Sequence, residues 1–325
     1  MRSWLLIALA LALLASAAEA DAASRSRRRR ARPAVAADDE EPPLPSGVGR
    51  RGLPNRAAGP ADDVPPAISP MPAGEVVQTV VTRGLLLENM TWTEAEGHLR
   101  PETVVVIPLG AASKEHGPHL RLKNDWLIAE YLKRRVLEGA PVVVAPTVNY
   151  SFYPAFTEYP GSTSLRLETA RDTIVDICRG LARFGPRRFY VLNTGISTLR
   201  ALEPAAAELA KDGVLLRYTD TRKLMGAAEK EVRKQEGGSH ADEIETSMML
   251  YIAPETVDMT RAAKDYDAVG EGALTRVKGA KGTYSPTGIW GDATLATREK
   301  GEKCVEALVA GILRELEELA KAESK

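Results

Sequence analysis

Cysteine is nearly absent from the 325 residues: Cys178 and Cys304 stand alone, with no CxxC or zinc-finger spacing. That excludes a disulfide-built scaffold and leaves two buried thiols as the expectation. Charge of one sign is also lacking. Lys and Arg number 43 against 44 Asp and Glu, a net charge of -1. No global field therefore favours nucleic acid or an anionic membrane. The glycine-rich signatures GxGxxG and GxxxxGK[ST] are missing, which argues against a dinucleotide or a nucleoside triphosphate. No internal repeat is present. The longest apolar run, residues 4–14, is about half the ~20 residues a membrane span requires.

What is there divides the chain into three. Residues 1–20 have a basic Arg2, the apolar run and an Ala18-Glu19-Ala20 cleavage pattern, the marks of a secretory signal peptide. A secreted or periplasmic location after cleavage near Ala20 is the expectation. Residues 21–75 carry an arginine cluster and then Pro, Ala and Asp without periodicity. Such a segment cannot bury enough apolar area to offset its ordering entropy, so a disordered linker is expected. The folded domain should occupy residues 76–322. Within it strand-like and helix-like patterns alternate: strands at 103–107, 141–148, 187–192 and 213–218, helices at 126–137, 165–184, 198–211 and 298–321. That alternation predicts an α/β protein, three layers deep, with helices on both faces of a mostly parallel sheet.

Histidine is scarce too, four in all, and its placement is informative. Lys114, Glu115, His116 and His119 follow the 103–107 strand, and Asp125 lies nine residues after His116. Imidazole and carboxylate past the carboxyl end of a strand suit a divalent ion such as Zn²⁺ or Mn²⁺. A second cluster joins His240 to Asp242, Glu243 and Glu245, with Asp242 and Glu245 spaced to share a helix face. The residues alone leave a plainer reading open. In it the histidines are exposed in a Gly-Pro loop, Asp125 is an N-cap, and the acidic cluster is a favourable helix start.

Longer motifs carry a resemblance. Pro108-Leu109-Gly110, Glu115-His116-Gly117-Pro118-His119-Leu120, Asp125, Pro160-Gly161-Ser162 and Asn193-x-Gly195 occur in order. His240-Ala241-x-Glu243-x-Glu245-Thr246-Ser247 and Gly288-x-Trp290-Gly291-Asp292 follow them. Together, over residues 77–321, the chain resembles the creatininase (creatinine amidohydrolase) family. The resemblance implies a metal-dependent amidohydrolase that cleaves a C–N bond of a cyclic or linear small-molecule amide. It also implies a homo-oligomer, often a hexamer. It casts His116, Asp125 and Glu245 as metal ligands and His240 as a proton shuttle, with His119, Asn193 and Trp290 near the substrate. Two departures stand out. Lys114 occupies the place of a family glutamate ligand, with Glu115 displaced by one position, and the segment after the third strand lacks its family histidine. Residues i and i+1 of an extended segment face opposite sides, so Glu115 does not simply substitute. One metal per chain, with the Lys114 ammonium near the vacated position and Lys114 and Glu115 acting beside His240, is therefore expected. A non-catalytic relative that kept the fold as a binding or scaffold protein is the alternative.

Overall fold

The computed structural model describes residues 82–322. The signal peptide and linker expected at 1–20 and 21–75, and the start of the domain, lie outside the described residues.

Five parallel strands form the central sheet in the order β1-β3-β2-β4-β5. They are β1 (Leu85–Leu86), β2 (Val104–Leu109), β3 (Val143–Val144), β4 (Arg188–Asn193) and β5 (Leu215–Tyr218). β2 is buried along its whole length. Its β-branched residues alternate between two cores, as the two-residue period of a strand requires. Val104 and Val106 join Tyr190 and Leu192 on one face; Val105, Ile107 and Leu109 join Phe189 and Val191 on the other.

Helices cover both faces. On the first lie α2 (Asn124–Gly139), α6 (Glu243–Ile252) and α7 (Arg298–Lys321), with α5 (Thr221–Val232) packed on α7. The second carries α3 (Leu167–Ala182) and α4 (Leu199–Ala210). A short α1 (Trp92–His98) is closed by a capping box between Thr91 and Glu94. The layout is the expected three-layer α/β/α. In α7 the stripe Val305, Leu308, Val309, Ile312, Leu316 and Leu319 is fully turned into the core. Cys178 and Cys304 are buried free thiols on opposite faces of the sheet.

Three readings of the sequence need correction. The strand expected over 141–148 keeps only Val143–Val144, because Pro146 has no N–H to give the ladder. Ala145 and Val148 still donate to Val106 and Pro108, so the segment tracks β2 without regular pairing. Asp125 is not an N-cap: Lys123 holds that position, and Asp125 sits in the first turn of α2. Asp242 and Glu245 do not share a helix face, since Asp242 is the N-cap that precedes α6, accepting from the Ile244 and Glu245 N–H groups.

Small pairs finish the carboxyl-end surface: β6 (Lys264–Asp265) with β9 (Gly291–Asp292), and β7 (Leu274–Thr275) with β8 (Thr283–Tyr284).

Candidate metal centre

The end of β2 and the start of α2 are pressed together at Gly110. A Cβ there would collide with the Asp125 carbonyl oxygen and the Ala129 side chain, so only glycine lets the backbones approach. That contact brings the loop of residues 111–119 over the first turn of α2. The 237–242 segment closes from the other side. His240 and Trp290 pair backbone to backbone, with Trp290 N donating to the His240 oxygen at 2.9 Å. Gly238, at φ +94°, lies so close to the Trp290 carbonyl that no side chain fits. Ala241 adopts φ +48°, a left-handed conformation uncommon for a residue with a Cβ. Its N–H donates to Glu245 Oε2 at 2.7 Å.

These segments bring Lys114, Glu115, His116, Asp125, His240 and Glu245 into one cluster. His116 Nε2 lies 2.8 Å from Asp125 Oδ1 and 3.4 Å from Glu245 Oε1. Its other ring nitrogen, Nδ1, is 2.9 Å from the Lys114 carbonyl, an acceptor that fixes the proton on Nδ1 and turns the Nε2 lone pair inward. His240 is arranged likewise. Its Nε2 is 2.8 Å from Glu115 Oε1, and Nδ1 faces Glu245 Oε2 at 3.7 Å. Glu115 is itself held by the Gly117 N–H. The two imidazoles, their ring centroids 5.1 Å apart, thus both turn a ring nitrogen toward Glu245, with His116 Nε2 nearer still to Asp125.

Lys114 is 5% exposed, and its Nζ lies 2.7 Å from Asp125 Oδ2. That oxygen has no aligned hydrogen-bond donor, so the contact is an ion pair first. The ammonium also sits over the Phe156 ring at 4.7 Å and the Tyr153 ring at 5.6 Å. Burial pushes the Lys114 ammonium toward losing its proton, but Asp125, Glu245 and Glu115 outweigh burial and hold its pKa above the ordinary value. Burial and Lys114 likewise work against a charged His116, yet Asp125 and Glu245 lift it to about 9. Burial opposes the charge on Asp125, but the cations beside it hold its pKa low, and Glu245 is held low in the same way. Where a cation meets Nε2, Nδ1 and a carboxylate, the protein holds either a proton or a metal.

The donor set fits a metal. His116, His240 and Glu245 each offer an atom within 4.8 Å of the others. Glu245 spans the two rings, Oε1 standing 3.4 Å from His116 Nε2 and Oε2 3.7 Å from His240 Nδ1. Of the expected set of His116, Asp125 and Glu245, Asp125 is not in that converging group and is engaged by Lys114 and His116.

A cavity of about 890 Å³ opens over the cluster, lined by Lys114, Asp125, His240, Glu245, Tyr153, Phe156 and Trp290 among others. Trp290 meets the expectation of a place at the cavity, its Nε1 donating to the Asp267 carbonyl. Two expected substrate contacts do not reach it. Asn193 is fully buried and tied to the Gly195 and Thr219 carbonyls and the Thr198 hydroxyl, which makes it a brace for the loop. His119 bonds Thr246 through Nε2, its Nδ1 is sealed from solvent, and burial drops its pKa to about 4. Two residues escaped sequence reasoning. Asn124 donates to Glu245 Oε1 at 3.2 Å, and only its place beside Asp125 hinted at this. Phe156 packs on the His240 ring at 4.3 Å, with no sequence signal beyond the aromatic loop.

A parallel α/β/α sheet with an imidazole–carboxylate cluster at its carboxyl edge suits the chemistry of a metal-dependent hydrolase. The chain belongs to the creatininase family: the family model described as creatinine amidohydrolase matches residues 88–316. It is 28% identical over 251 residues to the creatinine amidohydrolase of Pseudomonas putida, covering 71% of this chain and 96% of that protein. The mycofactocin precursor peptide peptidase of Mycolicibacterium smegmatis is 30% identical over 215 residues, 64% of this chain and 82% of that one. A solved creatinine amidohydrolase structure superimposes with a TM-score of 0.61 at 25% identity, covering 73% of this chain and 98% of that chain. A creatininase structure titled as the Mn form gives 0.60 at 25% identity, over 73% and 99%. A mutant titled Zn-Zn type gives 0.61 at 27%, over 73% and 98%.

Proposed function

We propose that this protein hydrolyses a C–N bond of a small amide, cyclic or linear, with one divalent ion per chain held by His116, His240 and Glu245. The convergence of those three donors, each imidazole anchored through its other nitrogen, carries the reading. When bound, Zn²⁺ or Mn²⁺ supplies an activated water and polarises the carbonyl. The chain's own residues do the rest. Lys114 stands where a second cation would otherwise be needed, neutralises Asp125 and donates toward negative charge developing on the substrate oxygen. Glu115 orients His240, and Phe156 and Trp290 wall the cavity.

A second reading keeps Asp125 as third ligand and frees His240 as proton shuttle. The 2.8 Å spacing of His116 Nε2 and Asp125 Oδ1 supports it. Metal content per chain by elemental mass spectrometry separates them. His116→Ala is expected to lose the metal in either case. Loss in His240→Ala with retention in Asp125→Ala supports the first reading; the reverse supports the second. Two metals per chain would refute the one-metal site. No metal after soaking with Zn²⁺ or Mn²⁺ would refute both and leave a binding protein on a hydrolase fold.

Two further expectations belong to this proposal: a secreted or periplasmic mature chain beginning near residue 21, checked by N-terminal sequencing, and a homo-oligomer such as a hexamer, checked by light scattering.

A further inference from the structure

Among the described residues, three tyrosines are buried, and their hydroxyls have different fates. Tyr159 donates to the Ser285 carbonyl at 2.6 Å. Tyr190 is bonded to Thr219 and donates to Glu315. Tyr153, 3% exposed, gives its hydroxyl to no protein group. A buried phenol without a partner carries a desolvation cost, which is why such groups are rare. The side-chain atoms sealed from solvent without a partner are His119 Nδ1, Asn124 Oδ1 and Asp125 Oδ2, so the Tyr153 hydroxyl is not sealed. Tyr153 lines the 890 Å³ cavity together with Lys114, Asp125, His240 and Glu245.

The ring is firmly placed. The Tyr153 N–H donates to Ser164 Oγ at 2.9 Å, and the ring packs with Ala111, Phe156, Tyr159 and Leu274. One face stands 5.6 Å from Lys114 Nζ. Burial and the neighbouring Asp125 charge keep the phenol protonated, so it acts as a donor. An O–H donor and an ammonium lining one cavity select one kind of guest: an oxygen that bears or acquires negative charge.

We propose that Tyr153 is a substrate-contacting residue that, with Lys114, hydrogen-bonds the carbonyl oxygen of the amide and the carboxylate that hydrolysis releases. The assignment of the guest as an amide rests on the hydrolase reading above; the oxyanion pocket itself does not.

Acetate, the simplest released carboxylate, is the probe, titrated by ligand-observed NMR against the protein as purified and after EDTA treatment. The wild type should bind acetate saturably, and Tyr153→Phe should weaken binding about tenfold, the effect of one hydrogen bond to a charged group. Its metal content and melting temperature should stay at wild-type values, because the ring is retained. Tyr159→Phe, which loses a structural hydroxyl, should lower the melting temperature and leave acetate affinity unchanged. Equal acetate affinity in Tyr153→Phe, or no saturable binding by the wild type, would overturn the proposal. Tyr153-dependent acetate binding in a protein that takes no metal would sink the hydrolase reading alone. A metal-loaded protein indifferent to Tyr153 would sink this one alone.

Discussion

Lys114→Met is the most informative single change. Methionine keeps most of the length and packs on Tyr153 and Phe156, so the substitution removes charge more than volume. Removing one partner of a buried ion pair typically costs about 3–5 kcal/mol, because the other charge is left uncompensated. Asp125 retains His116 at 2.8 Å, and His116 holds its proton more tightly once the Lys114 repulsion is gone. The loss should therefore fall near the lower end, about 3 kcal/mol. For a domain of this size each kcal/mol moves the melting temperature by about 2–4 °C, which gives a drop of about 6–12 °C in EDTA. The metal supplies the second half of the test. With the ammonium gone, Asp125, Glu245 and Glu115 attract a cation more strongly, and a ligand that binds only the folded state stabilises it in proportion to its affinity. Millimolar Mn²⁺ should raise the mutant's melting temperature by more than it raises the wild type's. Differential scanning fluorimetry with and without Mn²⁺ reads both effects. A mutant that melts with the wild type in EDTA and gains no more from Mn²⁺ would refute the view that Lys114 stands in for a metal.

Other predictions follow from the same geometry. Burial, aided by Glu245, pushes the Asp242 carboxyl up to about 6, above its unfolded value of 3.8. A folded pKa above the unfolded one gives stability that is complete below about pH 4 and is lost as pH rises through about 6, on the order of 3 kcal/mol. Urea melts in EDTA should therefore show Asp242→Asn gaining on the wild type between pH 4 and pH 7; a constant gap would contradict it. Leu308 in α7 is fully buried, and Leu308→Ala should cost about 2–5 kcal/mol by urea denaturation. Asn124→Ala removes the donor to Glu245 Oε1 and should weaken Mn²⁺ binding in a calorimetric titration, with unchanged affinity as the contrary result.

The sequence by itself determined the architecture and the inventory of reactive groups. β-branched runs and helical stripes are local patterns, so β2, β4, α3 and α7 were legible, α7 with its boundaries intact. The HGPH and HAxExETS motifs identified the family and hold three of the six residues that meet at the centre, His116, His240 and Glu245; Lys114, Glu115 and Asp125 flank the first of them. Local reasoning failed where one residue breaks a pattern, as Pro146 does in β3. It also failed where a helix buries little; α1, with no buried residue, and α5, with Met225 alone buried, went unread. Only the tertiary structure decided which groups face which. No spacing tells that Asp125 turns to Lys114, that Glu115 reaches 125 residues ahead to His240, or that Asn193 braces a loop. Nor does any local pattern separate the free hydroxyl of Tyr153 from the bonded one of Tyr159, six residues on. Each of those roles depends on partners distant in the chain, and the packing of two cores on one sheet sets which partners arrive.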